Sequence, residues 1–171
     1  RWRSLRGSLG AEASARLELH PCVAHRGWSA RAPENTIAAF ELALSEPAVR
    51  WIELDVQLSR DGVPVVIHDA TLKRTTNGQG KVADMSAEQL GRLDAGSWFG
   101  REFAGEGVPT LDRVLELTAG RCKLNVELKG DGANRGQLAR RVVETIRHRH
   151  MARDVVITSF DPRLLTDVRA C

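Results

Sequence analysis

No run in the 171-residue sequence approaches the roughly 20 apolar residues that a membrane-spanning helix needs. Nor is basic charge massed. The formal net charge is +3 and the arginines are spread along the chain, so the stripe that would grip nucleic-acid phosphates is missing. Residues 1–10 are basic but hold no apolar core long enough for a signal peptide, and no initiator Met precedes them. The expectation is a cytoplasmic protein whose natural N-terminus is incomplete. Cysteine is scarce: Cys22, Cys122 and Cys171 are odd in number and none sits at CxxC spacing. That argues against a disulfide framework or a zinc site and for buried free thiols in a reducing compartment. A glycine-rich phosphate loop after the first apolar run is also missing, which counts against a dinucleotide-binding fold.

What is present is ordinary material for one globular domain: 42% hydrophobic residues suffice for a core. Residues 1–19 show no period and read as a tail or short helix; residues 20–171 hold the domain. A strand at Cys22–His25 is followed by a turn with Gly27 and Pro33. Asn35 is placed to cap a helix whose apolar positions Ile37, Ala38, Phe40, Ala43 and Leu44 recur at helical spacing. Residues 51–58 (WIELDVQL) alternate as a strand, Asp61-Gly62 marks a turn, and residues 64–68 (PVVIH) form a third strand. Ser86 with Gln89 makes a capping box, Thr110 caps a helix running through Leu117, and Lys123–Leu128 is a fourth strand. An amphipathic helix over 137–149 precedes a fifth strand at 155–159, and Asp161-Pro162 opens a last helix. This alternation argues for an α/β fold with parallel pairing; with a dinucleotide-binding fold disfavoured, a TIM-type (β/α)8 barrel is the expectation, checked by whether polar residues gather where strands end.

Five strands in roughly 140 residues fall short of the about 250 residues of a full barrel. The expectation is a barrel truncated after about five βα units: a fragment, a truncated product, or a barrel completed by a C-terminal segment or another chain, such as a second copy in a homo-oligomer.

In such a barrel the chemistry sits on the rim where strands end. Glu53 and Asp55 are two residues apart and share one strand face, while Ile52, Leu54 and Val56 take the other. Glu127, between Val126 and Leu128, repeats the pattern in the fourth strand. An acid inside an apolar strand is costly unless paired or bound to metal. Three on neighbouring strands favour a metal, and all-oxygen ligands suit Mg²⁺ or Ca²⁺ rather than Zn²⁺. His25 and His68 fall at the ends of the first and third strands. With strands in sequence order they would flank the acidic second strand as general acid and base. Arg26 and Lys129 bring positive charge to the same rim, as phosphoryl transfer requires. His148 and His150 read as solvated helix-end residues.

The order of these elements resembles the glycerophosphodiester phosphodiesterase family. His25-Arg26-Gly27 and Pro33-Glu34-Asn35-Thr36 are similar to its HRG…PENT opening, and Glu53-Leu54-Asp55-Val56 to its E-x-D-V strand. Val65-Val66-Ile67-His68-Asp69, with Leu72, Arg74, Thr75 and Thr76 after it, resembles its second-histidine motif and L-x-RTT. Val108-Pro109-Thr110-Leu111 and Asn125-Val126-Glu127-Leu128-Lys129 resemble its VPTL and N-x-E-x-K segments. The resemblance implies a divalent metal, Ca²⁺ or Mg²⁺, on Glu53, Asp55 and Glu127. It implies His25 and His68 as acid and base, in either assignment, with phosphate on Arg26 and Lys129. Glu34 would orient Arg26 or its loop, and Ser159-Phe160 would line the pocket. The implied substrate is a small glycerophosphodiester, cleaved to glycerol 3-phosphate and an alcohol. The alternatives are a related phospholipase, of the phosphoinositide-cleaving or sphingomyelinase D kind, and an inactive truncated remnant.

Overall fold

The longest strand organises the layout. The computed structural model describes residues 22–130 and 134–171, so the expected tail or helix at 1–19 lies outside the described residues. Its strands are Cys22–His25 (β1), Val49–Leu58 (β2), Pro64–Val66 (β3), Lys123–Leu128 (β4) and Val155–Thr158 (β5). β1, β2, β4 and β5 run parallel in that spatial order, and among the described residues β1 and β5 are the edges of an open arc. His25 lies opposite Glu53, and Asp55 opposite Glu127.

The third strand departs from the expected sequential order. β3 pairs with β2 antiparallel, Val56 opposite Val66, and stays off the parallel path. The cause is the short link. Residues 59–63 are too few for a parallel crossover, which takes a dozen or more, but enough for a hairpin. Gly62 supplies a left-handed residue (φ 75°) in that turn.

Alternate carbonyls of β2 face opposite edges. Arg26 N donates to Glu53 O (2.9 Å) and Ile67 N to Asp55 O (3.0 Å), so the chain beyond β1 and the chain beyond β3 share one edge of β2. Lys129 N donates to Val56 O (2.9 Å) on the other. The two histidine-bearing segments therefore approach head-on along a single edge instead of flanking β2.

Helices Ile37–Leu44 (α1), Ala87–Gly91 (α2), Leu111–Thr118 (α3), Arg135–His148 (α4) and Pro162–Ala170 (α5) complete the fold. Ile52, Leu54 and Val56 of β2, with Leu124, Val126 and Leu128 of β4, pack against Phe40, Leu115, Val142 and Leu164 from the helices. That face is the core, which leaves the opposite face for the acids. Residues 65–108 form a second, smaller core around Val65, Ile67, Leu72, Val82, Leu90, Ala95 and Val108.

Local chemistry fixes the helix ends as expected at Thr110, Ser86 (a full capping box with Gln89) and Asp161 with Pro162 at N1. At α1 the expectation fails: Thr36, not Asn35, is the N-cap, its Oγ accepting from Ala39 N at 3.3 Å. Asn35 is left-handed (φ 58°), a conformation Asn tolerates, and is turned elsewhere. The three thiols are free, but Cys22 and Cys171 are exposed and Cys122 is only half-buried. Cys22 opens an edge strand covered on one side by β2, so nothing among the described residues encloses it. His148 and His150 are exposed at the end of α4. No helix of the described residues is long and apolar enough to cross a membrane.

Candidate active site

Because β2 and β4 pair in register, their alternating acids converge. Asp55 is fully buried, Glu53 nearly so and Glu127 half-buried, and one carboxylate oxygen from each lies within 4.8 Å of the others. Burial first, then repulsion from Asp55 and Glu127, pushes the Glu53 carboxyl up to about 7; a hydrogen bond from Arg26 N to its Oε2 (3.1 Å) opposes this. Glu53 Oε1 is buried with no hydrogen-bond partner, and Asp55 Oδ1 likewise accepts no hydrogen bond. A cluster of desolvated carboxylates, one of whose oxygens (Glu53 Oε1) has no partner, fits a hard divalent cation such as Ca²⁺ or Mg²⁺.

Two cations of the chain reach the same acids. Arg26 Nε stands 3.1 Å from Asp55 Oδ2, as an ion pair without hydrogen-bond alignment, and Lys129 Nζ lies 2.6 Å from Glu127 Oε1 and 3.2 Å from Asp55 Oδ1. Burial lowers the Lys129 pKa, but Glu127 and Asp55 outweigh it and hold the ammonium above its ordinary value. Beyond Lys129 a cleft of about 770 Å³ is lined by Glu127, Lys129, Ser159, Phe160 and Arg163. Phe160 is 92% exposed there, with Lys129 Nζ 5.7 Å from its ring centre.

The turn after β1 is strained where it meets the acids. Arg26 is left-handed (φ 57°) and Asn35 N closes the turn onto Arg26 O at 3.0 Å. Between them Gly27 (φ 78°) must be glycine, since a Cβ would sit 2.7 Å from the Ala39 carbonyl carbon. Asn35 Nδ2 donates to Asp55 Oδ2 (2.9 Å), which aims that carboxylate.

Of the two histidines, His25 brings Nε2 to 3.7 Å from Glu53 Oε2. His68 turns Nδ1 to Asp69 Oδ1 at 2.7 Å, and Gln57 Nε2 holds its carbonyl at 2.9 Å. Arg74 grips Asp69 with two hydrogen bonds and Glu34 with two more, and Glu34 Oε1 accepts from Arg26 Nη1 (2.9 Å). The hydrogen bonding of Arg74, the largest effect, outweighs burial and with a smaller contribution from the His68 contact holds the Asp69 carboxyl well below the usual carboxylate range. Burial pushes Glu34 up, but Arg74 and Arg26 together bring it below its ordinary value.

All seven predicted site residues thus lie on β2, on β4, or at or just past the ends of β1, β3 and β4, and Glu34 holds Arg26 as expected. Asn35, Gln57 and the Asp69–Arg74 pair were missed as site residues. Gln57 carried a signal, the same two-residue period as Glu53 and Asp55. Arg74 carried none beyond its motif, because an arginine in a polar loop looks like any surface charge.

The site is thus a parallel α/β barrel segment carrying an acidic triad, with His25, Arg26 and Lys129 against it and His68 on the chain past β3. Residues 25–171 match the sequence model of the Glycerophosphoryl diester phosphodiesterase family. The chain belongs to that family, and its fold is a partial TIM-type barrel. It is 45% identical over 148 residues to the glycerophosphodiester phosphodiesterase of Caldanaerobacter subterraneus subsp. tengcongensis, covering 86% of this chain and 60% of that protein. Among solved structures, a glycerophosphodiester phosphodiesterase from Agrobacterium tumefaciens superposes with TM-score 0.79 at 43% identity, covering 88% of this chain and 62% of the other. An Oleispira antarctica phosphodiesterase, solved with the product sn-glycerol-3-phosphate, superposes with TM-score 0.83 at 38% identity over 88% of this chain and 61% of its own. The chain spans about 60% of the length of the first of these relatives.

Proposed function

We propose that the chain carries the catalytic rim of a metal-dependent phosphodiesterase that hydrolyses glycerophosphodiesters to glycerol 3-phosphate and an alcohol. The observation that carries this is the meeting of the Glu53, Asp55 and Glu127 oxygens within 4.8 Å beside His25 and Lys129. The product held by the Oleispira relative is the product this reading requires.

Glu53, Asp55 and Glu127 would hold the cation, which when bound supplies positive charge against the charge developing on the phosphate. Arg26 and Lys129, already drawn to these acids, position the non-bridging oxygens. One histidine accepts a proton from the nucleophile: either water, which gives glycerol 3-phosphate directly, or the neighbouring glycerol hydroxyl, which gives a cyclic phosphate that water then opens. As the new P–O bond forms, the bond to the leaving alcohol breaks, and the other histidine protonates the departing oxygen. His25 is steered by Glu53, and His68 by Asp69, whose hold on Nδ1 leaves Nε2 as the proton-transfer atom.

Hydrolysis of glycerophosphocholine by the purified chain tests this, with EDTA, with restored Mg²⁺ or Ca²⁺, and with Glu53→Ala. Activity should vanish with EDTA, return with the cation and be absent in the variant. A folded chain that cleaves no glycerophosphodiester with either cation would refute the proposal.

A further inference from the structure

One guanidinium ties the two halves of the candidate site together. Arg74 Nε donates to Asp69 Oδ2 (2.8 Å) and Nη2 to Asp69 Oδ1 (2.9 Å). On its far side Nη1 donates to Glu34 Oε2 (2.9 Å) and Nη2 to Glu34 Oε1 (2.7 Å). Each carboxylate shares an oxygen onward: Asp69 Oδ1 with His68 Nδ1 at 2.7 Å, and Glu34 Oε1 with Arg26 Nη1 at 2.9 Å. The result is an unbroken chain, His68–Asp69–Arg74–Glu34–Arg26, between a proton-transfer group and a phosphate-holding group borne on segments far apart in sequence.

Resting on the phosphodiesterase reading above, we infer that Arg74 is a positioning residue, fixing the His68 ring and the Arg26 arm relative to each other. Two bidentate contacts lock the planes of both carboxylates, which a point-charge ammonium cannot do. With its plane locked, Asp69 keeps the proton of neutral His68 on Nδ1 and leaves Nε2 bare toward the reacting group. Glu34, held from the other side, keeps Arg26 extended over Asp55. Arg74 itself touches neither the acids of the triad nor either histidine.

A merely structural Arg74, tethering the loop to the barrel, makes a different prediction. Its side chain is 43% exposed, so ion pairing there adds little to global stability. Arg60 makes a comparable tether, with Nη1 to Asp84 O (3.1 Å) and Nη2 to Gln89 Oε1 (3.3 Å), and has no link to the histidines.

The test compares Arg74→Lys, Asp69→Asn, their double variant and Arg60→Lys in the purified chain. Glycerophosphocholine kinetics are read beside the ring-nitrogen NMR signals of His68. Arg74→Lys should lower kcat about 10- to 100-fold, the scale of a small misplacement of reacting groups, with melting temperature nearly unchanged. The double variant should lose less than the two single losses combined, because the His68 branch is common to both and only the Glu34–Arg26 branch is lost anew, and Arg60→Lys should stay within twofold of the parent. His68 should lose its pure Nδ1–H tautomer in Arg74→Lys. Losses that track melting temperature, add in the double variant or appear equally in Arg60→Lys would overturn the inference. So would an unchanged His68 tautomer. Because the NMR arm needs no turnover, an inactive parent would refute the phosphodiesterase reading while still deciding whether Arg74 sets the ring.

Discussion

Replacing Glu53 by glutamine should stabilise the cation-free protein, and by an amount that depends on pH. The Glu53 carboxyl titrates near 7 in the fold against an ordinary value of 4.5. A raised carboxylate is a liability above its unfolded pKa, since the unfolded chain ionises freely and the folded one does not. Below pH 4.5 both states keep the proton and nothing is lost. Between 4.5 and 7 the penalty grows, and above 7 it is complete, at about 3 kcal/mol. Glu53→Gln removes the charge, keeps the shape and offers a donor to a site with surplus acceptors. In EDTA at pH 8 it should therefore melt about 6 to 12 °C above the parent, and at pH 4.5 the two should coincide. Mg²⁺ or Ca²⁺ at about 1,000 times Kd should reverse the order, because it adds about 4.1 kcal/mol to the parent alone. Scanning calorimetry across pH 4.5–8, with and without cation, measures all of this. A parent–variant difference that is flat with pH, or a less stable variant at pH 8 in EDTA, would show that the triad is not electrostatically strained.

Three further outcomes are expected. Asn35→Gly keeps the left-handed backbone and loses only the two side-chain bonds with Asp55, whereas Asn35→Ala loses these and strains the backbone, so the alanine variant should be less stable by about 1 kcal/mol more in urea unfolding. Asp69 titrates far below an ordinary carboxylate, so its contribution is present above about pH 4 and is lost as pH falls toward its folded value. Asp69→Asn should accordingly flatten the acid limb of the stability profile and leave the limb above pH 6 alone, as read by circular dichroism during acid titration. Phe40→Ala, which empties a fully buried ring position behind β2, should cost about 3 to 5 kcal/mol of stability and lower activity only through unfolding, measured by denaturant midpoint beside kcat.

Much of this site was written in local patterns. The alternation in WIELDVQL separates Glu53 and Asp55 from Ile52 and Leu54, and the structure places them on opposite faces for that reason. Caps at Ser86, Thr110 and Asp161 were readable because each is a contact within three residues. The direction of β3 was also readable, from a link of residues 59–63 too short for a crossover, but PVVIH has the same apolar character in either direction and invites the barrel rhythm of its neighbours. Asn35 was hidden by its neighbour: either Asn35 or Thr36 suits a helix cap, and only the backbone's left-handed turn decides between them. The pairing of Arg74 with Glu34 spans 40 residues, and no periodicity connects two charges across such a distance.

The hairpin excursion with its own small core has a consequence for how the protein should fail on heating. The triad sits on β2 and β4, backed by the helices, whereas His68 rides on the excursion, anchored by Ile67, Gln57 and the arginine bridge. Regions with separate cores open with separate free energies. On the proposed function, warming should first loosen the excursion and produce a species whose triad is still assembled to hold a cation but which has no second histidine to move a proton. Loss of activity would then precede cation release, and a chain cooled from that window would recover without ever having unfolded its parallel strands.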